Sequence, residues 1–473
     1  MKTCFELSVI FSFFICLTTS ASTLENVDIE LASNHLSQAV QFQSITFDDS
    51  SIFDQKVLVK LNHFLKNSYP HVHSQLKREE FPSGILYTWV GKNPQLKPVL
   101  FAAHLDVVPV EKNSELDWKY PPFSGKIAEG FIWGRGALDD KGAAITIFEA
   151  VETLLTEGFA PEQTIYMAFG LDEEGGKLHD GAQQISEALS ARGVSLDYVL
   201  DEGSGITDGI VPDLNKKVAL IGITEKGYLT IELSVHAPPG HSSMPPKQTA
   251  IGILSSAIEK LETNQMPAQL NGTARKAIES LAVEMPTLKK WAISNLWLLS
   301  PLVVSELKNN PTTAPTVRTT TAVTMISGGT KDNVLPSEAK ASVNFRVSPH
   351  DHIKDVLAHV QKVISDERVV VKVHEESAHE ASPVSSTDSH GFDLLKETIH
   401  TYFKNTIVAP SITLAATDAR HYYLISKDVY RFYPSILKKD DLARYHGVNE
   451  RLGVEDLGTA IRFYKTLMKN NKS

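Results

Sequence analysis

The sequence predicts an α/β protein with a mostly parallel sheet, into which a smaller α+β domain is inserted. Apolar strands alternate with amphipathic helices in the first half of the chain, which is typical of parallel sheets. At about Lys226 this pattern gives way to strands with one apolar face. The first pattern resumes from Ser377, so we interpret the middle segment as an insertion.

The length of 473 residues exceeds what a single core usually supports, so two domains are expected. We place a signal peptide at 1–22, the larger domain at 23–225 and 377–473, and the inserted domain at 226–376. Hydrophobic residues make up 42% and charged residues 22% of the chain, as in soluble globular proteins. A net charge of −10 without a basic block argues against a nucleic-acid partner.

The N-terminus has the pattern of a secretory signal. Lys2 precedes an apolar run from Leu7 to Leu17, and small residues follow up to Ser22, with cleavage expected after Ala21 or Ser22. The alternative, an uncleaved anchor, would need a longer run to span a bilayer comfortably. No later segment has about 18 consecutive apolar residues, so we expect a secreted protein without a transmembrane anchor.

Both cysteines, Cys4 and Cys16, lie within the predicted signal. The mature chain should therefore contain neither a disulfide nor a thiolate ligand, and any metal would be bound by His, Asp and Glu. Asn271-Gly-Thr273 and Asn471-Lys-Ser473 have the pattern of N-glycosylation sites.

Apolar spacing predicts the elements of the larger domain in order. The helix with the clearest amphipathic pattern is Ala144–Leu155, and Gly158 is expected to end it. The predicted helices are Val27–Phe42, Ser51–Leu65, Ala144–Leu155 and Gly181–Ser190, and the predicted strands are Val99–Ala103, Thr164–Phe169 and Tyr198–Leu200.

The inserted domain is predicted to contain four strands and two helices. The strands are Tyr228–His236, Val317–Ile326, Glu338–Val347 and Val369–His374, and the helices are Gln248–Leu261 and His352–Ile364. An irregular segment at 264–315 includes the very apolar stretch Trp291–Val304. This stretch is either an extra core helix, an apolar wall or lid for a hydrophobic substrate, or a membrane-surface contact.

Two polar residues, His104 and Asp106, follow the buried strand at Val99–Ala103. Residues two apart in an extended chain point to the same side. Open α/β sheets bind ligands at the carboxyl ends of their strands, which makes this pair a candidate site. The alternative is a hydrogen-bonded pair that only closes the strand.

Carboxylates follow the other predicted strands and precede the helix at Ala144. They are Asp139, Asp140, Glu173, Glu174, Asp201 and Glu202. Carboxylates gathered at one sheet edge repel one another unless a cation lies among them, and a divalent metal is the simplest candidate. His446 is a candidate for a second imidazole, and a mixture of His and carboxylate suits zinc.

Several motifs resemble the di-zinc aminoacylase/carboxypeptidase family of metallopeptidases over essentially the whole mature chain. They are His104-x-Asp106, Gly134-Arg-Gly-x-x-Asp139-Asp-Lys-Gly142, Asp172-Glu-Glu174, Leu200-Asp-Glu-Gly203, Gly240-His-Ser-Ser243 and His446-Gly. Other motifs are similar to the carboxypeptidase S branch, which includes enzymes of N-fatty-acyl amino acids. They are Thr224-Glu-Lys-Gly227, His241-Ser-Ser-x-Pro-Pro-Lys247, Arg318-Thr-Thr-Thr321, Tyr430-Arg-Phe-Tyr-Pro434 and His446-Gly-Val-Asn-Glu450.

The resemblance implies two zinc ions per subunit, bridged by Asp139. His104 and Asp201 would complete one zinc site, with Glu202 as an open alternative to Asp201. Glu174 and His446 would complete the other site.

Further roles are implied by the same resemblance. Asp106 would hold the His104 ring in its metal-binding tautomer, and Glu173 would act as the general base. A cis peptide bond is expected after Asp139.

The inserted domain is expected to contribute to substrate binding. The resemblance implies that His241 stabilises the oxyanion, in several relatives across a dimer interface, so a homodimer through this domain is implied. Asn333, Arg346 and Arg420 match substrate-binding positions. Arginine binds carboxylates bidentately, which would select a substrate with a free α-carboxylate. The alternative for each arginine is a surface ion pair.

The sequence is therefore interpreted as a secreted di-zinc amidohydrolase that cleaves, and in reverse forms, the amide bond of N-acyl amino acids. The apolar stretch favours a fatty acyl group and a contact with a lipid or lipoprotein surface. The alternatives are a carboxypeptidase or dipeptidase of the same family and an inactive lipid- or ligand-binding protein on this fold.

Overall fold

A computed structural model describes residues 27–47, 55–175 and 181–472. The predicted signal peptide and both cysteines lie outside these ranges. Among the helices in these ranges, none has the length and apolar character needed to cross a membrane.

The N-terminal part alternates helices and strands, as predicted. Its helices are α1 (Ile29–Gln41), α2 (Gln55–Ser68), α3 (Pro70–Gln75), α4 (Lys141–Thr156) and α5 (Gly181–Ala191). Its strands are β1 (Lys77–Phe81), β2 (Gly84–Trp89), β3 (Val99–His104), β4 (Lys126–Ala128), β5 (Phe131–Trp133), β6 (Ile165–Gly170), β7 (Val199–Asp201), β8 (Ile206–Thr207) and β9 (Val218–Glu225).

The middle part is a second α+β unit. Its strands are β10 (Gly227–His236), β11 (Gly240–His241), β12 (Thr320–Gly328), β13 (Val334–Leu335), β14 (Glu338–Val347) and β15 (Val369–Val373). Its helices are α6 (Ala250–Thr263), α7 (Gly272–Ala282), α8 (Thr287–Ser294), α9 (Leu296–Asn309), α10 (Ala314–Val317) and α11 (Ile353–Ile364).

The C-terminal part returns to the first unit. Its elements are α12 (His390–Tyr402), β16 (Ile407–Thr413), β17 (Val429–Arg431), β18 (Ile436–Leu437), β19 (Arg451–Gly453) and α13 (Val454–Asn470).

The large sheet has the strand order β1-β2-β6-β3-β7-β17-β9-β8-β18, and β16 pairs with β9. Its centre, β6-β3-β7-β17, is parallel. Helices α1, α4, α12 and α13 pack together over an apolar core on one face, and α5 packs against β2 and β6. Because β3, β6 and β7 run in the same direction, the residues that follow them meet at one edge of the sheet.

The small sheet is antiparallel, in the order β12-β14-β10-β15. Every second residue of β14 is buried, which is the one-faced pattern that the sequence predicts. Helices α6 and α11 cover that face over a separate core that includes Leu229, Ile231, Val343 and Phe345. The predicted fold class, a mostly parallel α/β sheet with an inserted α+β unit, is confirmed.

The segment at 264–315 forms short helices outside both main cores, so the expectation of an extra core helix is wrong. Helix α7 packs on β16 of the large sheet. The outer face of α8 and α9 is open, with Trp297 82% and Leu302 69% exposed. The interpretations as a wall, as a lid and as a membrane-surface contact are all compatible with this exposed apolar face.

Two connecting segments join the units side by side. The Tyr228 N–H donates to the His379 carbonyl at 2.9 Å, and the His379 N–H donates to the Tyr228 carbonyl at 2.9 Å. A Cβ atom on Gly227 would lie 2.5 Å from the His379 carbonyl oxygen and 2.6 Å from the Ala381 nitrogen. The close approach of the two segments therefore requires glycine at this position.

We expect Gly227→Ala to lower the free energy of unfolding by about 1–3 kcal/mol, because backbone must move to admit the methyl group. Denaturant unfolding followed by circular dichroism measures the change. Gly252→Ala is the matched control, since its Cβ would meet only the Thr249 hydroxyl at 3.5 Å within a helix. A Gly227→Ala protein as stable as the control would show that the segments at Gly227 and His379 are loosely packed against each other.

Candidate metal centre

The site lies where parallel strands end. His104 is the last residue of β3 and pairs in register with Gly170, the last residue of β6. Glu173 and Glu174 follow β6 in a turn, and Glu202 directly follows β7. The remaining parts come from two loops, the one before α4 with Asp139 and the one before β19 with His446.

Asp139 lies between the two histidines. Its Oδ1 is 3.1 Å from Nε2 of His104, and its Oδ2 is 3.2 Å from Nε2 of His446. Each carboxylate oxygen thus faces a different imidazole. This is the arrangement that a carboxylate bridging two metal ions requires.

Further carboxylates complete a group around each histidine. Glu202 Oε1 is 3.4 Å from His104 Nε2, and Glu174 Oε1 is 3.0 Å from His446 Nε2. In the described ranges, ligand atoms within 4.8 Å of one another form three sets of possible metal ligands. The sets are His104, Asp140 and Glu202; Asp139, Glu174 and His446; and His104, Glu173 and Glu174.

Asp106 connects His104 to the Glu173–Glu174 turn. Its Oδ1 is 3.3 Å from Nδ1 of His104 and accepts the Glu173 N–H at 3.2 Å. Its Oδ2 accepts the Glu174 N–H at 3.0 Å and the Thr46 hydroxyl at 2.6 Å. The carboxylate is fully buried, so it fixes the ring and the turn relative to each other.

Burial and mutual repulsion shape the electrostatics of the carboxylates. Burial raises the pKa of Glu202 to about 8, and Asp139 adds to the shift. Burial also raises the pKa of Glu173 well above its ordinary value, with Glu174 and Glu202 adding to the effect. Carboxylates with such shifts accept a positive partner readily, because the partner favours their charged form.

The neighbouring carboxylates raise the pKa of both histidines, which favours the charged form of each ring. Burial favours the neutral His104 ring, but Glu202, Asp106 and Asp139 together raise its pKa well above the ordinary value. Hydrogen bonds with Asp139 and Glu174 raise the pKa of His446 to about 10. Both rings lie within hydrogen-bonding reach of the Asp139 carboxylate, at 3.1 and 3.2 Å.

The structure favours Glu202 over Asp201, the residue that we selected from the sequence. In the described ranges, Asp201 belongs to none of the three sets of possible metal ligands. Its Oδ1 accepts the Glu202 N–H at 2.9 Å, and its side chain is almost fully buried. Consecutive residues at a strand end point to opposite sides, so only one of the two can face His104.

The peptide bond between Asp139 and Asp140 is cis, which confirms the expectation drawn from the family resemblance. The Asp140 carboxylate accepts the His104 N–H at 3.2 Å. Asp140 thereby links the Asp139 loop directly to the end of β3.

Three of the four residues predicted to bind substrate, His241, Asn333 and Arg346, lie in the inserted unit, and Arg420 follows β16. His241 lies on the exposed strand β11, which pairs with β13. Asn333 lies in the turn before β13, and its carbonyl accepts the Ser242 N–H at 3.2 Å. Arg346 lies over the Tyr228 ring at 4.7 Å, and Arg420 donates to the Thr417 carbonyl at 2.8 Å.

Arg346 and Arg420 are nevertheless close to the same histidine. Burial lowers the pKa of His379, and both arginines lower it further. The half-buried Arg346 has its own pKa lowered by burial. Both arginines therefore lie near His379, with the Glu225 carboxylate as an opposing charge.

The sequence does not indicate a role for Asp418, Arg135 or Glu450. Burial raises the pKa of Asp418 well above its ordinary value, and Asp201 adds to the shift. Asp418 lies two residues before Arg420, and Glu450 ends the motif His446-Gly-Val-Asn-Glu450 that carries part of the family resemblance. The position of these acidic residues close to candidate site residues in the sequence could have identified them.

The donor set fits divalent metal ions. Two imidazoles and several carboxylates, with Asp139 between them, supply the nitrogen and oxygen ligands that zinc takes in hydrolytic sites. A cation on each side of Asp139 would offset the repulsion between its neighbours.

The sequence matches a known protein family and several known proteins. Residues 100–470 match the sequence profile of "Peptidase family M20/M25/M40". The chain is 42% identical over 450 residues to a carboxypeptidase S-like protein of Dictyostelium discoideum, covering 94% of this chain and 86% of that protein. It is also 42% identical over 442 residues to the N-fatty-acyl-amino acid synthase/hydrolase PM20D1.1 of Danio rerio, covering 92% and 84%.

The fold comparison agrees. The structure of an M20 family metallo-carboxypeptidase from Sulfolobus solfataricus aligns with a TM-score of 0.68 at 19% identity, covering 92% of this chain and 98% of that one. At this identity the likeness concerns the fold. Because the family profile spans most of the sequence, the chain belongs to peptidase family M20/M25/M40 and is a metallohydrolase of that family.

Proposed function

We propose that this protein is a di-zinc amidohydrolase that cleaves and forms the amide bond of N-fatty-acyl amino acids. Family membership implies a divalent metal, typically zinc. The observation that carries the proposal of two ions is the position of Asp139, whose two oxygens face His104 and His446 at 3.1 and 3.2 Å.

The residues that would bind the ions fall into two groups. His104, Asp139 and Glu202 would hold one ion, because Asp139 and Glu202 lie 3.1 and 3.4 Å from His104 Nε2. Asp139, Glu174 and His446 would hold the other. Bound there, the ions would supply an acidic water near neutral pH and a Lewis acid for the scissile carbonyl.

Glu173 is the proposed general base. It lies beside Glu174, and its backbone N–H is held by Asp106 at 3.2 Å. Burial raises its pKa well above the ordinary value, which suits a carboxylate that takes up a proton and passes it to the leaving amine. In the synthesis direction the same carboxylate would take the proton from the attacking amine.

Two features support an N-fatty-acyl amino acid as the substrate. The N-fatty-acyl-amino acid synthase/hydrolases of Danio rerio and Homo sapiens are 42% and 37% identical to this chain over most of its length. Arg346 and Arg420 would bind the α-carboxylate by paired hydrogen bonds. His241 and Asn333 are proposed to complete the site when the two units close or when a second subunit docks.

A carboxypeptidase activity is the second candidate. The Dictyostelium relative is named carboxypeptidase S-like, and its substrate class would share the free carboxylate. A hydrolysis panel of long-chain N-acyl amino acids and dipeptides separates the two. Faster turnover of dipeptides would favour the carboxypeptidase.

We further propose secretion, directed by the signal pattern at 1–22, and a homodimer formed through the small sheet. Contact with a lipid or lipoprotein surface would use the exposed face of α8 and α9, where Trp291, Trp297 and Leu302 are open. Such a contact would bring the enzyme to acyl substrates that partition into lipid.

Replacing Glu173 by Gln should lower kcat by about 10²- to 10⁴-fold, because the amide cannot accept the proton of the nucleophile. The bound zinc, measured by atomic emission on the same sample, should stay unchanged. Glu187→Gln, the same substitution at an exposed residue of α5, should retain activity. A Glu173→Gln enzyme with most of its activity would refute the assignment of the base.

The ligand at the end of β7 can be identified by paired substitutions. Glu202→Gln should remove one of two zinc ions, whereas Asp201→Asn should keep both, since only Glu202 lies near His104. Zinc-to-protein ratios after dialysis give the answer. Loss of an ion from Asp201→Asn together with retention of both by Glu202→Gln would restore the choice made from the sequence.

Substituting Arg346 by Met should raise KM for N-acyl amino acids by about 10- to 100-fold, the expected loss of a charge-assisted hydrogen bond. KM for the corresponding N-acyl amino acid amides should change little, because they lack the carboxylate. Arg368→Met is the control, since Arg368 pairs with Asp366 on the surface of the same unit. An equal rise in KM for both substrates would argue against carboxylate binding by Arg346.

A further inference from the structure

A buried ion pair joins two distant segments beside the candidate metal ligands. Arg135 and Glu450 are 315 residues apart in sequence, and Arg135 Nη1 donates to Glu450 Oε2 at 2.5 Å. Their side chains are only 2% and 0% exposed. Arg135 also packs over the Trp118 ring at 5.5 Å, so both charges are shielded from water.

Glu450 holds the turn that leads to Asp139. Its Oε1 accepts the backbone N–H groups of Gly136, Leu138 and Asp139 at 2.9, 3.0 and 3.1 Å. Three donors converge on a single carboxylate oxygen. The position of the Asp139 backbone therefore depends on where the Glu450 side chain lies.

Arg135 holds the loop that carries His446. Its Nη2 donates to the His446 carbonyl at 2.9 Å. His446 has a φ of +56°, in the left-handed region that side chains rarely adopt, and its side chain is 54% exposed. Besides the contacts of its ring with Asp139 and Glu174, the bond from Arg135 to its carbonyl helps keep this residue in place.

We propose that the Arg135–Glu450 pair is a positioning device that fixes Asp139 and His446 relative to each other, and that it thereby sets zinc affinity. One end of the pair orients the bridging carboxylate and the other end orients a histidine of the second ion. Within the described ranges, Glu450 belongs to none of the sets of possible metal ligands. The inference rests on the proposed di-zinc function and names residues that act through the ligands.

Arg135→Lys is the most informative variant. Lysine keeps the positive charge for Glu450 but lacks the second guanidinium branch, so the bond to the His446 carbonyl is lost. Glu450→Gln tests the other end, because the amide presents a donor to Arg135 where the carboxylate presented an acceptor. Glu157→Gln is the control, since Glu157 pairs with the buried Lys465 at 2.7 Å away from the site loops.

The readouts are the zinc dissociation constant, from competition with a chromophoric chelator, and the thermal midpoint of the metal-free protein. We expect Arg135→Lys and Glu450→Gln to weaken zinc binding by about 10- to 100-fold, the range found when partners of metal ligands are removed. Glu157→Gln should lower the thermal midpoint and leave the dissociation constant unchanged.

Wild-type zinc affinity in folded Arg135→Lys would overturn the positioning role while leaving the proposed function intact. Equal weakening by Glu157→Gln would overturn it too, because general destabilisation would then explain the effect. A wild-type protein that binds no zinc would overturn the proposed function, and the positioning role with it. If Glu450→Gln fails to fold, Arg135→Lys alone decides.

Discussion

The repulsion among buried carboxylates at one edge of the large sheet is the constraint on which the rest of the site depends. Asp139, Glu173, Glu174 and Glu202 converge there, and burial raises the pKa of the three glutamates. Such a cluster is unfavourable for an isolated protein and favourable for one that binds cations. The acidic edge is thus better explained by bound metal than by the stability of the fold.

Strands, loops and buried side chains each have a separate part in gathering these residues. Parallel strands deliver His104, the Glu173–Glu174 turn and Glu202 to one edge, while loops bring Asp139 and His446 from elsewhere. Two buried carboxylates then fix the ligands: Asp106 contacts the His104 ring and the Glu173–Glu174 turn, and Glu450 holds the Asp139 backbone. Most of the precision of the site therefore resides in residues that would not contact a metal.

Much of this arrangement could be predicted from the sequence, because strand ends are visible as apolar runs that stop at polar residues. The runs before His104, Glu173 and Asp201 were sufficient to predict the sheet and its acidic edge. The choice between Asp201 and Glu202 was not predictable, since it depends on which side of the sheet a strand's last residue faces. A difference of one residue in strand length reverses that choice.

Long-range contacts were the other limit. Nothing in local spacing pairs Arg135 with Glu450 across 315 residues, although both lie in motifs that the resemblance identified. The short helices at 264–315 were also unpredictable, because their apolar content fits a core helix as well as an exposed face. The exposed residues of α8 and α9 show which side faces outward.

The most direct measurement is an anomalous difference map recorded above the zinc absorption edge from crystals of the zinc-loaded protein. We expect two peaks that flank the Asp139 carboxylate, one beside His104 and Glu202 and one beside His446 and Glu174. A single peak, or peaks away from Asp139, would contradict the claim that paired cations neutralise this edge of the sheet.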